Sequence, residues 1–171
     1  MDISNTEVAL LSVINLFVCG VLTIFAGPIF SRFEARSVLV ICGLLNSIGF
    51  FMFMLTSNFD LLILGRVING LAQSMLCPYM LAWVNEFSPH ASQTAWMGAF
   101  QAANILGGAC GTMIGAISVD DEVFGVSHIF TWRHCMLFPA IAFFVLALLW
   151  FYHSNEVLDT QAKEKEETRK L

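Results

Sequence analysis

The chain has 171 residues, of which 57% are hydrophobic and 12% are charged, and its formal net charge is −5. So little charge over that length excludes an ordinary soluble domain and describes a membrane protein. The charged residues gather in connecting stretches and at the C-terminal end, no basic patch forms, and nothing calls for nucleic acid as a partner.

Five apolar stretches, each near the ~20 residues a bilayer needs, are predicted as helices at about 8–30, 38–55, 61–85, 94–118 and 134–152. The expected fold class is therefore all-α, a polytopic helical membrane protein. Residues 1–154 form the transmembrane bundle and 155–171 a charged, solvated tail. The first span carries Ser12, Asn15, Cys19 and Thr23 on one face, with Pro28 expected in its last turn. The second carries Gly43, Asn46, Ser47 and Gly49 as small or polar points. Thr56 to Asp60 is a tight loop, and Asp60 is the expected N-cap of the third span.

The third span holds Arg66, the one charged residue well inside an apolar run. Asn69, Gly70, Gln73, Ser74 and Cys77 follow at steps of three and four, which places them on one helical face. Counted from Leu61, Arg66 lies roughly 8 Å below the interface at ~1.5 Å per residue. Holding a guanidinium there costs about 2.5–3.5 kcal/mol unless it snorkels or meets a polar partner. Two readings stand: a snorkelling arginine, or a face that lines a polar cavity. Pro78 is expected to kink this helix.

The fourth span, after the loop Glu86 to Gln93, is rich in Gly and Ala and carries Gln101 and Asn104 near mid-depth. It also carries Gly98, Gly107, Gly108, Gly111 and Gly115, and the last three, spaced at three and four, make a smooth stripe of the kind that lets helix backbones touch. Val119 to Trp132 is an acidic loop, and the fifth span ends in Trp150 and Tyr152, which fit an interfacial aromatic belt. The buried amides Asn15, Gln73, Gln101 and Asn104 suit either interhelical hydrogen bonds, worth about 0.6–2 kcal/mol each, or a solute site near the midplane.

Several chemistries find no support. The five cysteines form no Cys-x-x-Cys pair, so neither a disulfide framework nor a metal site is expected. The first seven residues lack the basic start of a secretory signal. No Asp or Glu lies deep in a span, so no proton-carrying carboxylate is in view. There is no Ser-His-Asp set, His pair or phosphate loop; no cofactor is expected, and the chain is not read as an enzyme.

Lys and Arg set the orientation. Arg32 and Arg36 lie in the first loop, and Lys163, Lys165, Arg169 and Lys170 in the tail. Five spans put that loop and that tail on one side, opposite Arg133. The tail and the first and third loops are expected in the cytoplasm and Met1 outside.

The loop Gly27-Pro-Ile-Phe-Ser31-Arg32-Phe-Glu34-Ala-Arg36 resembles the signature Gly-x-x-x-Asp-Arg-x-Gly-Arg-Arg of the major facilitator superfamily, which joins its second and third helices. Gly27, Arg32 and Arg36 fit, and Ser31 stands at the acid's position. Arg66-Val-Ile-Asn69-Gly70 resembles the fourth-helix pattern Arg-x-x-Gln-Gly. The run from Gly98 through Gly107 and Gly111 to Gly115 resembles the fifth-helix antiporter pattern, with Thr112 at its Pro. Trp132-Arg133 before the last span is also usual there. Organophosphate antiporters resemble the run from Arg66 to Pro139 but place a His at Asn104. Spinster-like lipid transporters resemble Arg66-x3-Gly70-x2-Gln73 but carry Glu at Gln73.

The resemblance implies the second to sixth helices of a twelve-helix transporter built from two six-helix halves. The first helix and the second half-bundle would come from the same or another chain. It implies alternating-access transport of a small organic solute across a lipid bilayer, along a path near Asn15, Arg66, Asn69, Gln73, Gln101 and Asn104. Gly27, Arg32, Arg36, Gly70, Gly98, Gly107, Gly111 and Gly115 are the expected packing and gating positions. A non-transporting five-helix membrane protein, acting as an interaction partner or regulator, is the alternative.

Overall fold

The computed structural model describes residues 5–56, 58–117, 132–154 and 158. The acidic loop after residue 117 and most of the charged tail, both singled out in the sequence, lie outside these residues. The described residues form six α-helices and one 3-10 turn, with no strand among them: α1 (Asn5–Thr23), α2 (Ala26–Arg32), α3 (Ala35–Leu55), α4 (Phe59–Phe87), the turn His90–Ser92, α5 (Gln93–Ile117) and α6 (Trp132–Tyr152). The all-helical membrane class expected from composition is what is observed. Among the described residues, three helices are long and apolar enough to cross a membrane, or four if α1 and α2 count as one bent span. The 25-residue α5, expected as a span, is not among them.

The first expected span is broken rather than continuous. Its two pieces meet at 55° around Ile24 and Phe25. The cause is Pro28. It has no N–H to give the Ile24 carbonyl and its ring crowds that position, so an α-helix cannot run through unperturbed. The chain instead turns tightly, with Phe25 N donating to Leu22 O at 3.0 Å, and restarts as α2. Pro28 then sits in the first turn of α2, where no N–H is required, and not in the last turn of a longer helix.

The start of α4 also differs from expectation. Asn58 is the N-cap, its Oδ1 accepting from Asp60 N at 3.1 Å. Asp60 lies one step inside, in the first turn, where a carboxylate favours the helix dipole. The helix is continuous through Pro78. Pro78 leaves the Ser74 carbonyl without its helical donor. Thr23 Oγ1 of α1, bonded at 2.7 Å to Cys19 O, also reaches Ser74 O at 3.5 Å.

Helix α4 is the centre of the bundle, packing against α1 on one side and α3 on the other, while α3 in turn packs on α6. Small residues allow each approach. A Cβ on Gly70 would lie 2.8 Å from Asn15 O and 3.0 Å from Val18 Cβ of α1. Gly49 and Gly65 abut across α3 and α4: a Cβ on Gly65 would meet Gly49 O at 3.2 Å. Gly43 packs on Ala147 of α6, and Ser47 Oγ donates to Ala140 O at 2.8 Å. Between lipid-facing helices, such contacts replace the hydrophobic drive that water supplies elsewhere.

Trp150 packs here too. It is 9% exposed, against Gly43, and so belongs to the core rather than to an aromatic belt; the Gly43 surface leaves room for its ring. Tyr152 is exposed. Leu158 is likewise buried, its carbonyl accepting from Tyr79 Oη at 2.6 Å, so the tail is not solvated at that point. Tyr79 also stacks on Phe30 of α2 with centroids 5.1 Å apart, which ties the bent end of the first span to α4.

Candidate functional site

The polar residues of α4 do not share one open surface. They divide between its two neighbours. Because α4 begins at Phe59 and not Leu61, Arg66 lies about 10 Å along it at ~1.5 Å per residue, a little deeper than first counted. Helical side chains lean toward the N-terminus of their helix. Arg66 does so, bringing its guanidinium carbon to 4.6 Å from the ring centroid of Phe53 on α3. A cation held on a ring face in this way gains about 0.5–2 kcal/mol, more as water is removed. Its Nε is buried and finds no hydrogen-bond acceptor among the described residues.

The next polar contact lies between α1 and α4. Asn15 Nδ2 donates to Gln73 Oε1 at 3.1 Å, and Asn15 Oδ1 is left buried without a donor among the described residues. Gly70 sits against this same part of α1, and only its missing side chain lets Asn15 come so close to the α4 backbone. Arg66 and Gln73 therefore flank Gly70 along α4, one against α3 and the other against α1.

Asn69 goes elsewhere. It is 1% exposed and turned toward α3, where its amide lies against Gly49. Cys77, the last member of the polar set, is exposed. The predicted face is thus wide enough to touch both partners, and burial separates its members.

The structure does not bring Gln101 and Asn104 to this place. Both are exposed on α5, which meets α4 and α6 only sparsely. A Cβ on Gly98, Gly107, Gly108 or Gly111 would meet nothing within 4 Å, so within the described residues this stripe packs on no helix. The surroundings of Gly115 are outside the described residues. In the loop signature Arg32 is exposed and Arg36 half-buried, and Gly27 is open. Ser31 Oγ donates to Pro28 O at 2.8 Å, a local bond that closes the end of α2.

One neighbour of the site was not singled out from sequence: Phe53, because an aromatic facing an arginine across a helix pair leaves no mark in either segment. Asn46 was visible as a polar point of its span, but nothing in that span shows that it is wholly buried. All five cysteines are free, and no His, Cys, Asp and Glu cluster that would suit a metal ion occurs among the described residues.

No curated protein matches this sequence. A family model does: residues 1–171 match the model described as Major Facilitator Superfamily. A bundle of apolar helices centred on an arginine-bearing fourth helix, together with a match over the whole chain, places this protein in the major facilitator superfamily of membrane solute transporters.

Proposed function

We propose that this chain forms the second to sixth helices of a transporter that moves a small organic solute by alternating access, and that it works as part of a longer polypeptide. The observation that carries the reading is the environment of Arg66. A guanidinium set deep in a membrane helix, with a buried Nε lacking an acceptor among the described residues, beside an Asn15–Gln73 pair that keeps one buried carbonyl unpaired among them, is costly if it only holds the fold together. These groups gain their missing partners when a polar solute enters between α1, α3 and α4. Arg66, Asn15 and Gln73 are the contacts we assign to it. Gln101 and Asn104 join the path if α5 closes against the same opening, and Gly98, Gly107, Gly111 and Gly115 are the surface on which α5 would rock. The first loop, with Arg32 and Arg36, and the tail face the cytoplasm in this reading, and residue 1 faces outside.

The test has two parts. An antibody to residues 157–171 should detect a native product more than twice 19.0 kDa. In proteoliposomes holding that product, a solute found by counterflow screening should lose its uptake on Arg66→Leu while the protein still inserts. A sole product of 19.0 kDa, or undiminished uptake by Arg66→Leu, overturns the corresponding half of the proposal. The first of those outcomes favours a five-helix membrane protein whose open α5 surface meets another chain.

A further inference from the structure

We infer that Leu158 is a releasable latch, which closes one end of the seam between the first span and α4 and holds the bent α2 against α4. The inference rests on the reading above, which puts this end at the cytoplasm and the solute path between α1, α3 and α4.

The contacts of the first span with α4 advance together along both segments. Leu11 shares a buried cluster with Leu62, Asn15 bonds to Gln73, Thr23 reaches Ser74 O, and Phe30 stacks on Tyr79. The two segments therefore run parallel. The Phe30–Tyr79 stack is the farthest of these contacts, six residues past Gln73 and about 9 Å farther along α4 at ~1.5 Å per residue. Leu158 belongs to this end. It is 7% exposed, in the buried cluster that also holds Phe30 of α2, Ala35 and Leu39 of α3, and Tyr79 of α4.

Tyr79 is the receptor. A residue brought into an apolar cluster from outside the helix bundle needs a partner for its carbonyl. Tyr79 Oη donates to Leu158 O at 2.6 Å, while the ring of Tyr79 packs on Phe30. One side chain of α4 thus joins α2 and residue 158. The joint consists of one buried leucine and one hydrogen bond, which suits release by local opening with the bundle intact. A path that opens at this end has to part the seam here, and a docked Leu158 keeps it closed.

The experiment uses the complete native polypeptide in membrane vesicles of both orientations and a membrane-impermeant maleimide. Cysteines are placed singly at 158, at the exposed Ser154 and at Gln73, and each is read against the labelling of the parent. Leu158→Cys should react about tenfold more slowly than Ser154→Cys. Tyr79→Phe keeps the ring and its stack, and should raise the rate at 158 without changing that at 154. Equal rates at the two positions, or no response to Tyr79→Phe, overturn the docking. From the side on which Ser154→Cys reacts, Gln73→Cys should react faster once Leu158→Asp or Tyr79→Phe is added. An unchanged rate at 73 in both overturns the closure, even where residue 158 is docked. The side on which Ser154→Cys reacts reports the topology separately, and none of these rates depends on the uptake test of Arg66→Leu.

Discussion

Replacing Gly70 by alanine tests whether α1 and α4 are held at the separation described above. The added Cβ would lie 2.8 Å from Asn15 O, a backbone atom that no rotamer change can move. Ordinary contact begins at 3.4 Å, so α1 must retreat by about 0.6 Å. A gap of that size forfeits roughly a quarter to a half of the dispersion energy of each contact it opens. It also stretches the 3.1 Å bond from Asn15 to Gln73 beyond useful length. Overpacking of this kind costs about 1–3 kcal/mol, and the lost interhelical hydrogen bond about 0.6 kcal/mol more. Alanine recovers up to ~1 kcal/mol as the better helix former. The expected net loss is thus about 0.6–2.6 kcal/mol. Gly98→Ala is the control, since its Cβ meets nothing within 4 Å and keeps only the helix-propensity gain. Both would be measured by reversible unfolding of the native protein in mild detergent. If Gly70→Ala proved as stable as Gly98→Ala, the close approach of α1 to α4 would be wrong.

Three further outcomes follow from the same contacts. Ser47→Ala removes the 2.8 Å bond to the Ala140 carbonyl and should destabilise the α3–α6 seam by about 0.6–2 kcal/mol in the same unfolding assay. Pro28→Ala restores a donor for the Ile24 carbonyl, so α1 and α2 should merge and the 55° bend should open; spin-label distances from the start of α1 to the end of α2 would lengthen. A Cβ at Gly111 meets nothing within 4 Å, so Gly111→Leu should insert and resist unfolding at least as well as the parent, yet stop uptake by the complete transporter if α5 rocks on that surface. Normal uptake would remove the stripe from the gating mechanism.

Much of this architecture is written in short-range pattern. Apolar runs of bilayer length, interrupted by polar and glycine-containing loops, are enough to set the helical class and the approximate ends of α3 to α6, but not the break that makes two helices of the first run. The steps of three and four from Arg66 to Cys77 were also enough to mark α4 as the helix on which the others depend. Helix ends were harder to place. Asn58 and Asp60 are both able to cap, and the choice between them rests on which backbone the side chain actually reaches. Pro28 was visible, but a proline is carried inside a continuous helix at Pro78 and breaks the helix at Pro28, and that difference is not written in the local sequence.

By itself, the sequence determined that this is a helical membrane protein with an arginine at the heart of its most polar helix. Those facts follow from transfer energies and periodicity, which are local properties. Only the tertiary structure decided which polar residues keep company. Asn69 and Gln73 lie four residues apart on what reads as one face, yet one is sealed against α3 and the other bonded to α1. A helix wedged between two neighbours has its polar arc divided by their positions. Those positions are set by glycines at 49, 65 and 70, whose meaning lies in the residues opposite them.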